Sequence, residues 1–118
     1  MRTRTIVLAL LLATLGIAAA RAHAFLDHAS PLVGSTVPTG PHEVSLWFTQ
    51  NIEAAFSSVE VTDASGARVD QGKPQISGNT MHVGVKTLGP GTYRVRWHVL
   101  SVDTHKTEGS FSFHVGSK

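Results

Sequence analysis

Five stretches of the chain alternate apolar and polar residues with period two. Val44, Leu46 and Phe48 alternate with Ser45, Trp47 and Thr49, and Val59 and Val61 alternate with Ser58, Glu60 and Thr62. Met81, Val83 and Val85 alternate with His82, Gly84 and Lys86. Tyr93, Val95, Trp97 and Val99 alternate with Arg94, Arg96 and His98, and Phe111, Phe113 and Val115 with Ser112 and His114. This period puts each apolar set on one face of a strand and the polar set on the other. Asp63-Ala64-Ser65-Gly66 and Gly89-Pro90-Gly91 read as turns between runs. Residues 24–29 and 67–70 supply two further short strands. About seven strands with frequent turns predict an all-β, immunoglobulin-like sandwich. No apolar set recurs at the helical period, apart from a single turn around 52–56.

The first 22 residues break the pattern. Arg2 and Arg4 precede a run at 6–20 that is apolar except for Thr14 and Gly16. At about 15 residues the run is shorter than the ~20 that span a bilayer. Ala20-Arg21-Ala22 has the small-x-small form of a signal-peptide cleavage site. Thr3 separates the two arginines, which argues against a twin-arginine signal. The expectation is a cleaved secretory signal peptide at 1–22 and one exported, periplasmic domain at 23–118. A cut after Ala20 is the alternative to one after Ala22.

Composition changes meaning with that cut. The whole chain carries net charge +2. Residues 23–118 hold seven Lys+Arg against eight Asp+Glu, a net charge of −1. With no basic run, nothing suggests nucleic acid as a partner. Twelve Val against five Leu in those 96 residues fit strands, and ten Gly and five Pro punctuate them. The chain has no Cys, which removes disulfides, Cys-based zinc sites, iron–sulfur clusters and thiol nucleophiles.

The seven histidines all lie beyond residue 22. His82, His98 and His114 occupy the polar phase of strands and read as solvent-facing. His42 follows Pro41 in a loop, and His28 lies beside Asp27 at the edge of any site. His23 and His105 differ. A cut after Ala22 gives His23 a free α-amine, and amine and imidazole can bind one metal in a six-membered chelate. In Ser101-Val102-Asp103-Thr104-His105, Asp103 and His105 stand at i and i+2, so in an extended segment they share a face. Two nitrogens of His23, one of His105 and an oxygen of Asp103 make an N,N,N,O set suited to tetragonal Cu(II), which heads the divalent affinity order.

Three segments carry a resemblance. His23-Ala24-Phe25-Leu26 with Ser30-Pro31-x-x-Gly34, and Leu46-Trp47-Phe48-Thr49-Gln50-Asn51-Ile52, resemble the CopC family of periplasmic copper-binding proteins. The strongest likeness is the run from Gly91 to His105, closed by Gly109-Ser110-Phe111-Ser112-Phe113. It is similar to the family's Tyr-x-Val-x-Trp…Ser-x-Asp-x-His…Gly signature. The resemblance implies a Greek-key sandwich and one Cu(II) ion per chain on His23, Asp103 and His105. It implies a copper carrier or buffer in copper homeostasis or resistance, serving a membrane copper transporter of the CopD type. Two departures stand out. Some members have Glu where this chain has the neutral Gln50, which can at most hydrogen-bond beside the metal. Others bind Cu(I) through a Met-rich loop, whereas Met81 is the sole methionine after residue 22 and falls in the core phase of a strand.

Two other classes compete. An N-terminal His with a second His also builds the copper centre of lytic polysaccharide monooxygenases. Here Asp103 would fill a position that oxygen chemistry needs open, and the short chain offers no broad platform for polysaccharide, so no enzyme is expected. A metal-free structural sandwich would make every His an ordinary surface group.

Overall fold

The computed structural model describes residues 23–116; the leader expected at 1–22 lies outside the described residues. Eight strands form two sheets. They are β1 (Leu26–Ser30), β2 (Thr36–Val37), β3 (Glu43–Phe48), β4 (Ser58–Thr62), β5 (Asp70–Ser77), β6 (Thr80–Val85), β7 (Gly91–Leu100) and β8 (Lys106–Val115). One sheet has the order β1-β3-β6-β5 and the other β2-β8-β7-β4. All pairings are antiparallel except that of β2 with β8. The chain crosses between sheets from β1 to β2, β2 to β3, β3 to β4, β4 to β5 and β6 to β7. The result is the immunoglobulin-like sandwich that the alternation predicts.

Every residue of the apolar phase faces inward. Val44, Leu46, Phe48, Met81, Val83 and Val85 from one sheet, and Val59, Val61, Tyr93, Val95, Trp97, Val99, Phe111, Phe113 and Val115 from the other, are all buried. Burying side chains of this size contributes about 1.5–3 kcal/mol each relative to exposure. Phe48 meets Trp97 edge-on, ring centres 5.2 Å apart, and so joins the two sheets. The polar-phase histidines His82, His98 and His114 lie on the outer faces. There His82 contacts Ser45 at 2.6 Å, His98 pairs with Glu108 at 2.8 Å and His114 contacts Thr92 at 2.9 Å.

Three elements differ from the sequence reading. The strand expected at 67–70 is instead β5, running from Asp70 to Ser77. Its sequence, with one large apolar residue and Pro74, hides it from a periodicity argument. It is an edge strand, where proline is tolerated, and its register with β6 shifts between Gln71 and Gln75. The two-residue β2 is too short to show a period. And β8 starts at Lys106 rather than near Ser110, because Thr107 and Gly109 take inward-phase positions without being large apolar groups. Gly109 does so for a steric reason: a Cβ there would stand 2.6 Å from Cζ2 of Trp97. The expected turn near 52–56 is a short 3-10 turn at Ala54–Phe56.

The longer β8 shortens the connection that matters. β7 and β8 pair without interruption from Gly91↔Val115 to Leu100↔Lys106. Only residues 101–105 remain to turn the corner.

Candidate metal centre

The 101–105 turn is tied down at both ends. Ser101 donates its N–H to the His105 carbonyl at 2.9 Å, and the Thr104 N–H donates to the Ser101 carbonyl at 2.9 Å. Thr104 sits at φ 72°, a left-handed conformation that reverses the chain within the turn. Ser101 also bridges to Ile52, the Val102 N–H donates to the Asn51 carbonyl at 3.1 Å, and the Glu53 N–H donates to the Leu100 carbonyl at 2.8 Å. The segment leaving β3 therefore buttresses the turn.

The start of the described chain is held against the same place. Ala24 is fully buried. Its carbonyl accepts the Thr107 hydroxyl at 2.5 Å. Phe25 donates its N–H to Thr49 Oγ1 at 2.9 Å and accepts the Thr49 N–H at 2.8 Å. Thr49 Oγ1 also lies 3.3 Å from the His23 carbonyl, within donating reach. Thr49 follows β3 and Thr107 belongs to β8, so both sheets anchor the segment that carries His23.

These constraints bring the three sequence-predicted residues together. The rings of His23 and His105 are 4.3 Å apart between centres and tilted by 53°. Two imidazoles at right angles on one ion, with metal–nitrogen bonds of about 2.0 Å, have ring centres about 4.4 Å apart. Asp103 Oδ1 lies 3.3 Å from His105 Nδ1. The His105 side chain is 50% exposed and that of Asp103 34%, so an ion has access from solvent. Among the described residues no three His, Cys, Asp or Glu groups stand as a ready-made cage. The arrangement is a pair of rings in contact, with a carboxylate beside one of them.

Charge favours a cation here. The Ser101 hydroxyl, donating to Asp103, does most to hold that carboxyl below its ordinary pKa. Partial desolvation opposes it, and hydrogen bonding and charge from His105 add to the lowering. Asp103 is thus ionised at neutral pH, as a metal-binding oxygen must be. Asp27 and His28 belong elsewhere: His28 stacks on Trp47 at 4.4 Å and contacts Asp27 at 2.7 Å, on the outer face of the β1-β3-β6-β5 sheet. Gln50 is half-buried on the segment that follows β3.

Sequence reasoning missed the residues that hold the site together. Thr49 and Thr107 look like ordinary strand-end threonines until the terminus is seen lying between them. Ser101 stood within the Ser-x-Asp-x-His run, two residues before Asp103. That is the spacing at which a side chain in a turn reaches its neighbour, and it is the one signal that would have found it.

Comparisons with known proteins bear on the same residues. The sequence pattern of the CopC domain matches residues 26–116. Copper resistance protein C of Xanthomonas campestris pv. juglandis is 34% identical over 112 residues, spanning 87% of each chain. The crystal structure of CopC from Methylosinus trichosporium OB3b superposes with a TM-score of 0.70 at 33% identity, covering 79% of this chain and 93% of that one. PcoC, a methionine-rich copper resistance protein from Escherichia coli, gives 0.71 at 31% identity, covering 80% of this chain and 99% of that one.

Proposed function

Since this chain belongs to the CopC family, we propose that it is an exported Cu(II)-binding protein that carries or buffers copper in the periplasm. One ion is held by the amine and imidazole of His23, the imidazole of His105 and the carboxylate of Asp103. The observation that carries this reading is the ring contact between His23 and His105, with ionised Asp103 alongside. These groups lie far apart in sequence, and the packing of Ala24 and the threonine ties on either side of it hold them together at an exposed corner.

The donor chemistry selects the oxidation state. Nitrogen and carboxylate donors suit Cu(II), whereas Cu(I) prefers thioether and thiolate. The chain has no Cys and two Met, and Met81 is fully buried in the core. PcoC is described as methionine-rich; this chain has no comparable soft surface among the described residues. The role is binding rather than catalysis: three nitrogens and one oxygen complete a tetragonal plane and leave no equatorial position for oxygen activation. Copper passes on to a membrane transporter of the CopD type. That partner meets the rim of the site, where Phe25 and Val102 expose apolar side chains to solvent.

Calorimetric titration of the chain beginning at His23 tests this. The expected result is one Cu(II) per chain, with binding weakened at least tenfold by either His105→Ala or Asp103→Ala. Circular dichroism should show the fold retained in both, because the backbone hydrogen bonds that close the turn do not involve either side chain. Unchanged affinity in both variants sinks the proposal.

A further inference from the structure

One buried hydroxyl sits inside the 101–105 turn. Ser101 has no solvent exposure. Its hydroxyl oxygen accepts the His105 N–H at 3.3 Å, and two acceptors stand within reach of its proton: Asp103 Oδ1 and the His105 carbonyl, the latter at 3.2 Å. A hydroxyl donates one proton. The His105 carbonyl already accepts the Ser101 N–H, and a carboxylate is the stronger acceptor. The proton therefore goes to Asp103. Oδ1 then lies between the Ser101 hydroxyl and His105 Nδ1, at 3.3 Å from the latter, and Oδ2 is the oxygen that neither contact uses.

We infer that Ser101 is a positioning residue of the copper centre: its hydroxyl grips Oδ1 of Asp103, so that the carboxylate meets the ion through Oδ2 as a single, pre-aimed oxygen. The inference rests on the copper centre proposed above. Without the hydroxyl, the Asp103 carboxylate would keep only its contacts to His105 and would pay more ordering entropy on binding. The turn itself does not need the hydroxyl, because its two backbone hydrogen bonds and the tie to Asn51 remain. Partners that orient a metal ligand in this way typically change metal affinity about 10–100-fold when removed.

The test is a double-mutant cycle by Cu(II) titration with S101A, D103A and S101A/D103A, all beginning at His23 and read by affinity and by Cu(II) electron paramagnetic resonance. S101A is expected to weaken binding about tenfold or more and to shift the resonance parameters. In the D103A background it is expected to do neither, because the hydroxyl acts only through that carboxylate. An equal loss in both backgrounds, or no loss in either, overturns the inference. Melting of metal-free S101A checks that it folds. Should it fail, Ser101→Thr and Ser101→Val give a pair of similar volume with and without the hydroxyl; tighter binding by the threonine variant supports the role, and equal binding overturns it. His105→Ala separates the two readings: if it leaves binding intact, the copper centre itself is wrong. If it abolishes binding while S101A does not weaken it, only the Ser101 role falls.

Discussion

Asp70 shows how much a single carboxylate supports this fold. Its side chain is 6% exposed, and it accepts hydrogen bonds from the Arg68 guanidinium at 2.8 and 3.2 Å and from the Val61 N–H at 2.9 Å. Burial is the largest single influence on its pKa and acts to raise it. The Arg68 and Val61 hydrogen bonds and the Arg68 charge together outweigh it and leave the carboxyl below its ordinary value. A folded pKa below the unfolded one means stability that is complete above the unfolded value, about 3.9, and lost as pH falls through the folded value. Asp70→Asn should therefore destabilise the protein by about 1–3 kcal/mol at pH 7. The gap to the unsubstituted protein should close in strong acid; denaturant melts at both pH values check it. The same scale shows what a sequence can reveal of a site. Asp103 and His105 were legible because both sit in one short run with shared direction. His23 was legible through the cleavage signal. Ser101, Thr49 and Thr107 were not, because a hydroxyl's partner depends on which segments meet, and here those segments are up to 83 residues apart.

The β7–β8 hairpin is the element that sets the site. Its ten uninterrupted pairs carry the register of the sandwich up to the turn. Trp97, paired with Gly109, fills the space beneath it. The hairpin accepts no larger residue there. Gly109→Ala would push a methyl to 2.6 Å from the Trp97 ring, and such overpacking typically costs about 1–3 kcal/mol. For a domain of about 100 residues the melting temperature should fall by about 4–8 °C per kcal/mol. An unchanged melting temperature would show that Trp97 moves aside without strain. Alternation exposed β3, β4, β6, β7 and most of β8 in the sequence because each buries a run of large apolar groups on one face. It was silent on β5, an edge strand whose one large apolar residue, Ile76, is only partly buried. It also cut β8 short, because a glycine beneath a tryptophan carries no apolar signal of its own.

At the scale of the molecule, the two sheets and the segment before β1 meet at a single corner. Thr49 follows one sheet, Thr107 lies within the other, and the chain between His23 and Phe25 lies across both. An ion shared by His23 and the 101–105 turn would clip that segment to the hairpin and stabilise the folded state by mass action, about 2.7 kcal/mol at a hundredfold excess over Kd. Added Cu(II) should therefore raise the melting temperature measurably, whereas a metal-free structural sandwich predicts no shift. The most direct test of the central claim concerns the terminal amine. Cu(II) affinity is measured by calorimetry for the chain that begins at His23 and for the same chain with its terminal amine acetylated. Acetylation leaves both imidazoles and Asp103 in place and takes the amine out of the chelate, without supplying the new amine donor that an added residue would bring. Binding weakened more than tenfold, a loss of more than about 1.4 kcal/mol, is the predicted result; equal affinity in the two proteins would contradict the account.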